Sequence, residues 1–115
     1  MNIKILIPVF NDWESLNKLL EEINFLLERF EHNFSVLIVN DASTQDRIDA
    51  PSSLDNLQSV KLINMKENKG HARCIAAGLK YIFENEEFDF VIPMDGDGED
   101  RPVEIGAMLC EAYGR

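Results

Sequence analysis

Residues 3–9, Ile-Lys-Ile-Leu-Ile-Pro-Val, form a short, nearly continuous apolar run that stops at Phe10-Asn11-Asp12. A run of this length without clean alternation predicts a strand buried on both faces, as in a parallel sheet. The pattern returns at 34–39, Phe-Ser-Val-Leu-Ile-Val, and ends in Asn40-Asp41-Ala42-Ser43-Thr44. A third strand is predicted over 60–64. A fourth, over 88–94, leads directly into Asp95-Gly96-Asp97-Gly98-Glu99-Asp100. Three of these runs therefore end in a carboxylate.

Helical periodicity fills the gaps. Leu16, Leu19, Leu20, Ile23, Leu26, Leu27 and Phe30 recur at steps of three and four, one stripe of an amphipathic helix, with Asp12 at its expected N-cap. Residues 42–56 are polar, contain Pro51, and read as a loop with room for a helical turn. Asn68-Lys69-Gly70 opens a second helix, with Ala72, Ile75, Ala76, Leu79, Ile82 and Phe83 predicted on one face. Pro102 suits the first turn of a last helix carrying Val103, Ile105, Met108 and Leu109. Strands alternating with helices predict an α/β fold with right-handed crossovers and a mostly parallel sheet. Such sheets bind ligands beyond the carboxyl ends of their strands. Asn11-Asp12, Asp41-Ala42-Ser43 and Asp95-Gly96-Asp97 are all predicted there.

Composition narrows the partners. The 115 residues suit one domain, 1–115, without a linker or repeat. A net charge of −10 argues against nucleic acid and against anionic lipid. Nine acids between positions 84 and 104 (Glu84, Glu86, Glu87, Asp89, Asp95, Asp97, Glu99, Asp100, Glu104) face one base, Arg101. A polyphosphate would need a cation to settle beside them, although Glu84, Glu86 and Glu87 read as a solvated face. Cys74 and Cys110 make no CxxC and read as buried, reduced thiols. The first residues are too short for a signal peptide, and no apolar run approaches the ~20 residues of a bilayer span. The expected location is cytoplasmic, where the Asn33-Phe34-Ser35 sequon has no glycan to carry.

Asp95-Gly96-Asp97 carries the most chemistry. Hard divalent cations such as Mg²⁺ and Mn²⁺ take oxygen ligands from one or two carboxylates plus phosphates and water. Gly96 and Gly98 free the backbone to approach a ligand. An acidic surface turn has the same composition. A calcium loop would need Gly and Glu where Asp100 and Glu-less Gly106 stand. Asp41 can accept from a base or a ribose, or cap its own turn. Asp12 reads first as a helix cap. The helix start at Gly70, with Lys69 and Arg73 close by, suits an anion. His71 there reads as a bystander and Lys69 as an ordinary exposed lysine. GxGxxG, GxxxxGK[ST], HExxH and GxSxG motifs are absent.

Taken together, Ile7-Pro8-Val9-Phe10-Asn11-Asp12, Val39-Asn40-Asp41-Ala42-Ser43-Thr44-Gln45-Asp46, Asn68-Lys69-Gly70 with Ala76-Ala77-Gly78-Leu79, and Met94-Asp95-Gly96-Asp97 resemble the family 2 glycosyltransferases. The stretch 95–102 is most similar to their dolichyl- or polyprenyl-phosphate sugar transferase branch. The resemblance implies the GT-A fold, a three-layer α/β/α sandwich around a Rossmann-like sheet. It implies a nucleotide diphosphate sugar donor, Mg²⁺ or Mn²⁺, and inverting transfer of a hexosyl-type sugar to a polyprenyl phosphate or a glycan of the cell envelope. Pro8, Asn11, Asp12, Asp41, Arg73 and Asp95 would line the nucleotide pocket, with Asp41 at the base. Asp97, Asp95 and Glu99 would hold the metal.

Ala42 departs from the usual glycine, and Arg101 from the commoner proline. The resemblance places the acceptor site and the catalytic carboxylate beyond Arg115, so 1–115 corresponds to the N-terminal, nucleotide-binding part and no general base is assigned within it. In a full-length protein the cytoplasmic face of a membrane becomes a candidate location. The alternative reading is a non-catalytic nucleotide-binding or regulatory module of the same fold. A nucleotidyltransferase would want a basic glycine-rich loop after the first strand, and a receiver domain would want its acids there. An uncovered sheet edge leaves homo-oligomerisation open.

Overall fold

The computed structural model describes residues 1–49, 51 and 53–94. Its elements are β1 (Asn2–Val9), α1 (Trp13–Leu27), β2 (Asn33–Asn40), β3 (Ser59–Asn64), α2 (His71–Asn85) and β4 (Phe90–Pro93). The strands form one parallel sheet in the order β3-β2-β1-β4. All four predicted strands and both described helices are present. The predicted helix at Pro102 lies outside the described residues, as do Cys110, Asp95, Asp97 and Glu99.

The apolar runs form strands because both faces are covered. Along β1, Ile3, Ile5, Ile7 and Val9 join a core with Leu16, Leu19, Leu20, Ile23 and Leu27 of α1. Leu6 points the other way, into a second core with Leu37, Val39, Cys74 and Ile82. Along β2, Phe34, Val36 and Ile38 face α1, and Leu37 and Val39 face α2. This is the α/β/α layering implied by the resemblance. Lys4, the one charge in β1, keeps its ammonium 3.9 Å from Glu86. Glu86 also accepts from Lys61 at 2.9 Å, and that bond foremost holds its carboxyl below the ordinary range.

Four local expectations change. The predicted face of α2 holds in part: Ile75, Leu79 and Ile82 pack on the sheet, but Ala72 and Ala76 are exposed, Phe83 is 69% exposed, and the buried line is Cys74, Gly78 and Ile82. A Cβ on Gly78 would overlap Leu6 Cδ1 and lie 3.1 Å from Val39 Cγ2. The glycine therefore lets the helix backbone seat directly on the sheet, which a count of apolar residues does not register. Phe88 sits before β4 rather than in it, stacked edge-on against Phe83 with centroids 5.0 Å apart. The α1 helix ends at Leu27, so Phe30 packs on the core from the following turn.

The fourth change is in the loop after β2, whose described residues contain no helix. Asn24 of α1 holds it instead. Its amide oxygen accepts the Asn56 N–H at 2.8 Å, and its carbonyl accepts the Asn56 amide at 2.7 Å.

Candidate functional site

β2 and β3 lie to one side of β1 and β4 to the other, so the order of the sheet reverses between β1 and β4. A crevice opens at such a reversal because the connections leave in opposite directions. Pro8 sharpens it. Met94 donates its N–H to the Leu6 carbonyl at 2.9 Å. The next rung of that ladder would need an N–H at position 8, which proline lacks. Among the described residues the β1–β4 pairing runs no further than Leu6 and Pro93, shortly before β1 leads into Asn11-Asp12 and the chain passes from Met94 to Asp95.

Asn11 and Ala42 both have left-handed backbone, with φ of 58° and 57°. Asparagine tolerates that region through its short polar side chain, but for alanine it costs about 1–2 kcal/mol. The resemblance expects glycine at 42, and the torsion gives the physical reason. The Asn11 amide oxygen accepts the N–H groups of Thr44 at 2.8 Å and Gln45 at 2.9 Å. Its amide nitrogen donates to Thr44 Oγ1 at 3.0 Å. Its backbone N–H donates to Ser43 Oγ at 2.9 Å. The Ser43 hydroxyl in turn donates to Asn40 Oδ1, and the Asn40 amide to Asn64 Oδ1 at 2.9 Å. The ends of β1, β2 and β3 are thereby linked in one polar chain.

Asp41 is 5% exposed. One carboxylate oxygen accepts the Lys69 N–H at 2.8 Å and the other the Gly70 N–H at 3.0 Å. Its backbone carbonyl accepts the Asn68 amide at 3.3 Å. The side chain thus ties the end of β2 to the loop that enters α2, rather than capping its own turn. Gly70 has φ 91°, a left-handed value that favours glycine, and no atom would obstruct a Cβ there. Its conformation, not crowding, calls for the residue. The Cys74 thiol, wholly buried one turn into α2, is pushed up to about 11 by burial and then by the adjacent Asp41 carboxylate. It stays protonated and reduced, as expected of it.

Asp12 occupies the N-cap position of α1, but its side chain makes no capping bond. The expected capping role is not seen, and the residue is half-exposed two positions after Phe10. Arg73 is exposed on the first turn of α2. Lys69 pairs with Glu67 at 2.6 Å. Among the described residues no three His, Cys, Asp or Glu side chains converge as a metal site.

Two further residues have no role assigned by the sequence pattern. Phe10 is 47% exposed at the end of β1, an aromatic face open to solvent beside Asn11 and Asp12. Trp13 is 3% exposed and buries its indole N–H without a partner. An exposed aromatic directly after a buried strand was the available signal for Phe10; burial of Trp13 could not be read from its neighbours.

The fold agrees with the comparisons. The profile of glycosyl transferase family 2 matches residues 4–113, and the chain belongs to that family. Among individual relatives, it is 33% identical over 111 residues to an undecaprenyl-phosphate 4-deoxy-4-formamido-L-arabinose transferase of Pseudomonas syringae pv. syringae, covering 93% of this chain and 31% of that protein. It is 32% identical over 114 residues to the transferase of the same name from Pseudomonas fluorescens, covering 96% and 32%. The chain thus spans about a third of the length of these curated relatives. In three dimensions it superposes on Staphylococcus aureus TarS in complex with UDP with a TM-score of 0.64 at 20% identity, over 99% of this chain and 33% of that one. The mannosyltransferase PcManGT from Pyrobaculum calidifontis, in complex with GDP-Man and Mn²⁺, gives 0.60 at 19% identity, over 83% and 27%. These likenesses show the GT-A fold.

Proposed function

We propose that this chain forms the donor side of an inverting glycosyltransferase, binding a nucleotide diphosphate sugar in the crevice between β1 and β4. The observation that carries the reading is the convergence of the family match with the switch point between β1 and β4, where Pro8 lacks the N–H that would meet the Met94 carbonyl and Met94 leads in sequence into Asp95-Gly96-Asp97. Pro8, Asp12, Asp41 and Asp95 border the nucleotide, Asn11 joins them through the loop it holds, and Phe10 offers its exposed ring to the base. Arg73, at the positive end of α2, faces the nucleotide's charge.

The metal is Mg²⁺ or Mn²⁺, held by Asp95, Asp97 and Glu99. The fit rests on chemistry: these are hard oxygen donors, and a net charge of −10 leaves a diphosphate in need of a bridging cation. When bound, the cation acts as a Lewis acid on the departing nucleoside diphosphate. The transferase names of the relatives support a polyprenyl phosphate as acceptor. That acceptor would place the whole protein at a membrane face, although no helix among the described residues is long and apolar enough to cross one.

Calorimetric titration with UDP, GDP and CDP, with and without Mn²⁺, tests the reading. At least one nucleotide should bind in a Mn²⁺-dependent way, and Asp97→Ala should weaken it by about tenfold or more. Failure of all three, or metal-independent binding that Asp97→Ala leaves intact, refutes it.

A further inference from the structure

We infer that Asn11 is a positioning residue of this site: its carboxamide holds the 43–45 loop against the end of β1 and does not itself touch the diphosphate. The inference rests on the donor-site reading above. A carboxamide offers two donor hydrogens and two acceptor lone pairs. In Asn11 both acceptor positions are taken by the Thr44 and Gln45 N–H groups, and one of the two nitrogen hydrogens is donated to Thr44 Oγ1. Its backbone N–H is spent on Ser43. Two consecutive backbone N–H groups converging on one oxygen make a small concave seat for an acceptor. Asn11 fills that seat from a strand whose sequence position is more than thirty residues away.

The left-handed φ of 58° belongs to the same device, because it turns the side chain out of the β1 direction and across to the neighbouring loop. The consequence for the site is geometric. Ser43 and Asn40 continue the chain of bonds toward Asn64, so the loop after β2 is fixed relative to β1 through Asn11. Phe10 and Asp12, the sequence neighbours of Asn11, are exposed and half-exposed.

Substitution separates holding from touching. Asn11→Asp keeps an oxygen for the Thr44 and Gln45 N–H groups and offers a second oxygen to the Thr44 hydroxyl, which can rotate to donate. Asn11→Gly keeps the left-handed backbone but deletes the bridge. A direct contact with a diphosphate would respond in the opposite sense, since a new carboxylate against the phosphates would weaken binding by about a hundredfold or more.

The experiment measures amide hydrogen exchange at Thr44 and Gln45, together with calorimetric titration of whichever of UDP, GDP or CDP the wild type binds with Mn²⁺. Salt is kept high enough to screen charges beyond contact range. Asn11→Asp should retain slow exchange at both amides and an affinity within about threefold of wild type, whereas Asn11→Gly should lose both, with binding about tenfold weaker. The inference is overturned if Asn11→Asp keeps the protected amides yet loses the nucleotide, or if Asn11→Gly binds as wild type does. An absence of nucleotide binding by the wild type is a different result, and it removes the donor-site reading on which this one stands.

Discussion

The two faces of the sheet carry helices of equal length, 15 residues each, yet hold them by different means. On the first, α1 lays Leu16, Leu19, Leu20, Ile23 and Leu27 over branched side chains of β1 and β2. Large aliphatic groups set the spacing, and the burial supplies stability at roughly 25 cal/mol per Å² of apolar surface. On the second, α2 meets the sheet through Gly78 and is tied at its start to the Asp41 carboxylate. Little side-chain volume separates backbone from sheet there, so the position of the helix start is set closely. The lesson is a division of labour. The α1 face holds the fold together, and the α2 face fixes the helix start and the loop beside the crevice.

The sharpest attack on this contrast is Leu20→Ala. Leu20 is fully buried on the α1 face, and its truncation should cost about 3 kcal/mol in chemical denaturation. The crevice residues should still bind ligand at temperatures where the variant remains folded. Next comes Gly78→Val, expected to cost about 2–3 kcal/mol by overpacking Leu6 and Val39, despite the poor helix propensity of glycine. A stability equal to or above wild type would show that α2 does not need the close approach.

Asp41→Asn follows at about 2 kcal/mol, because one of two buried acceptors becomes a donor aimed at the N–H of Lys69 or Gly70. A change below about 0.5 kcal/mol would mean that the carboxylate does not anchor the α2 loop. The last prediction concerns pH. The Cys74 thiol is raised from 9.0 to about 11 in the folded chain, so its contribution is fully present below about 9 and is lost as pH rises toward 11. Wild type should therefore lose stability relative to Cys74→Ala across that interval. Parallel curves would show that the thiol ionises alike in both states.

Much of this molecule is legible in its sequence. The runs at 3–9 and 34–39 announced buried strands because their apolar character lacks alternation, and both faces of β1 and β2 are indeed covered. The stripe on α1 was legible because a helix on an aliphatic face buries what it displays. The stripe on α2 is legible at Ile75, Leu79 and Ile82, but its central contact is a glycine, which adds nothing to an apolar pattern. At the site, the sequence placed Asn11, Asp12 and Asp41 at strand ends correctly. It could not assign their partners: Asp12 makes no cap, and Asp41 reaches across to Lys69 and Gly70 rather than to its own turn.

The alternation of strands and helices, and the placing of chemistry at the strand ends, were determined by the sequence itself. Period and punctuation are local properties, readable within a few residues of each position. The seating of α2 on Gly78, the reversal of the sheet between β1 and β4, and the bonds of Asn11 and Asp41 were decided only in three dimensions. Each joins segments some thirty or more residues apart, and a hydrogen bond or backbone contact at that separation leaves no periodic trace in the chain that forms it.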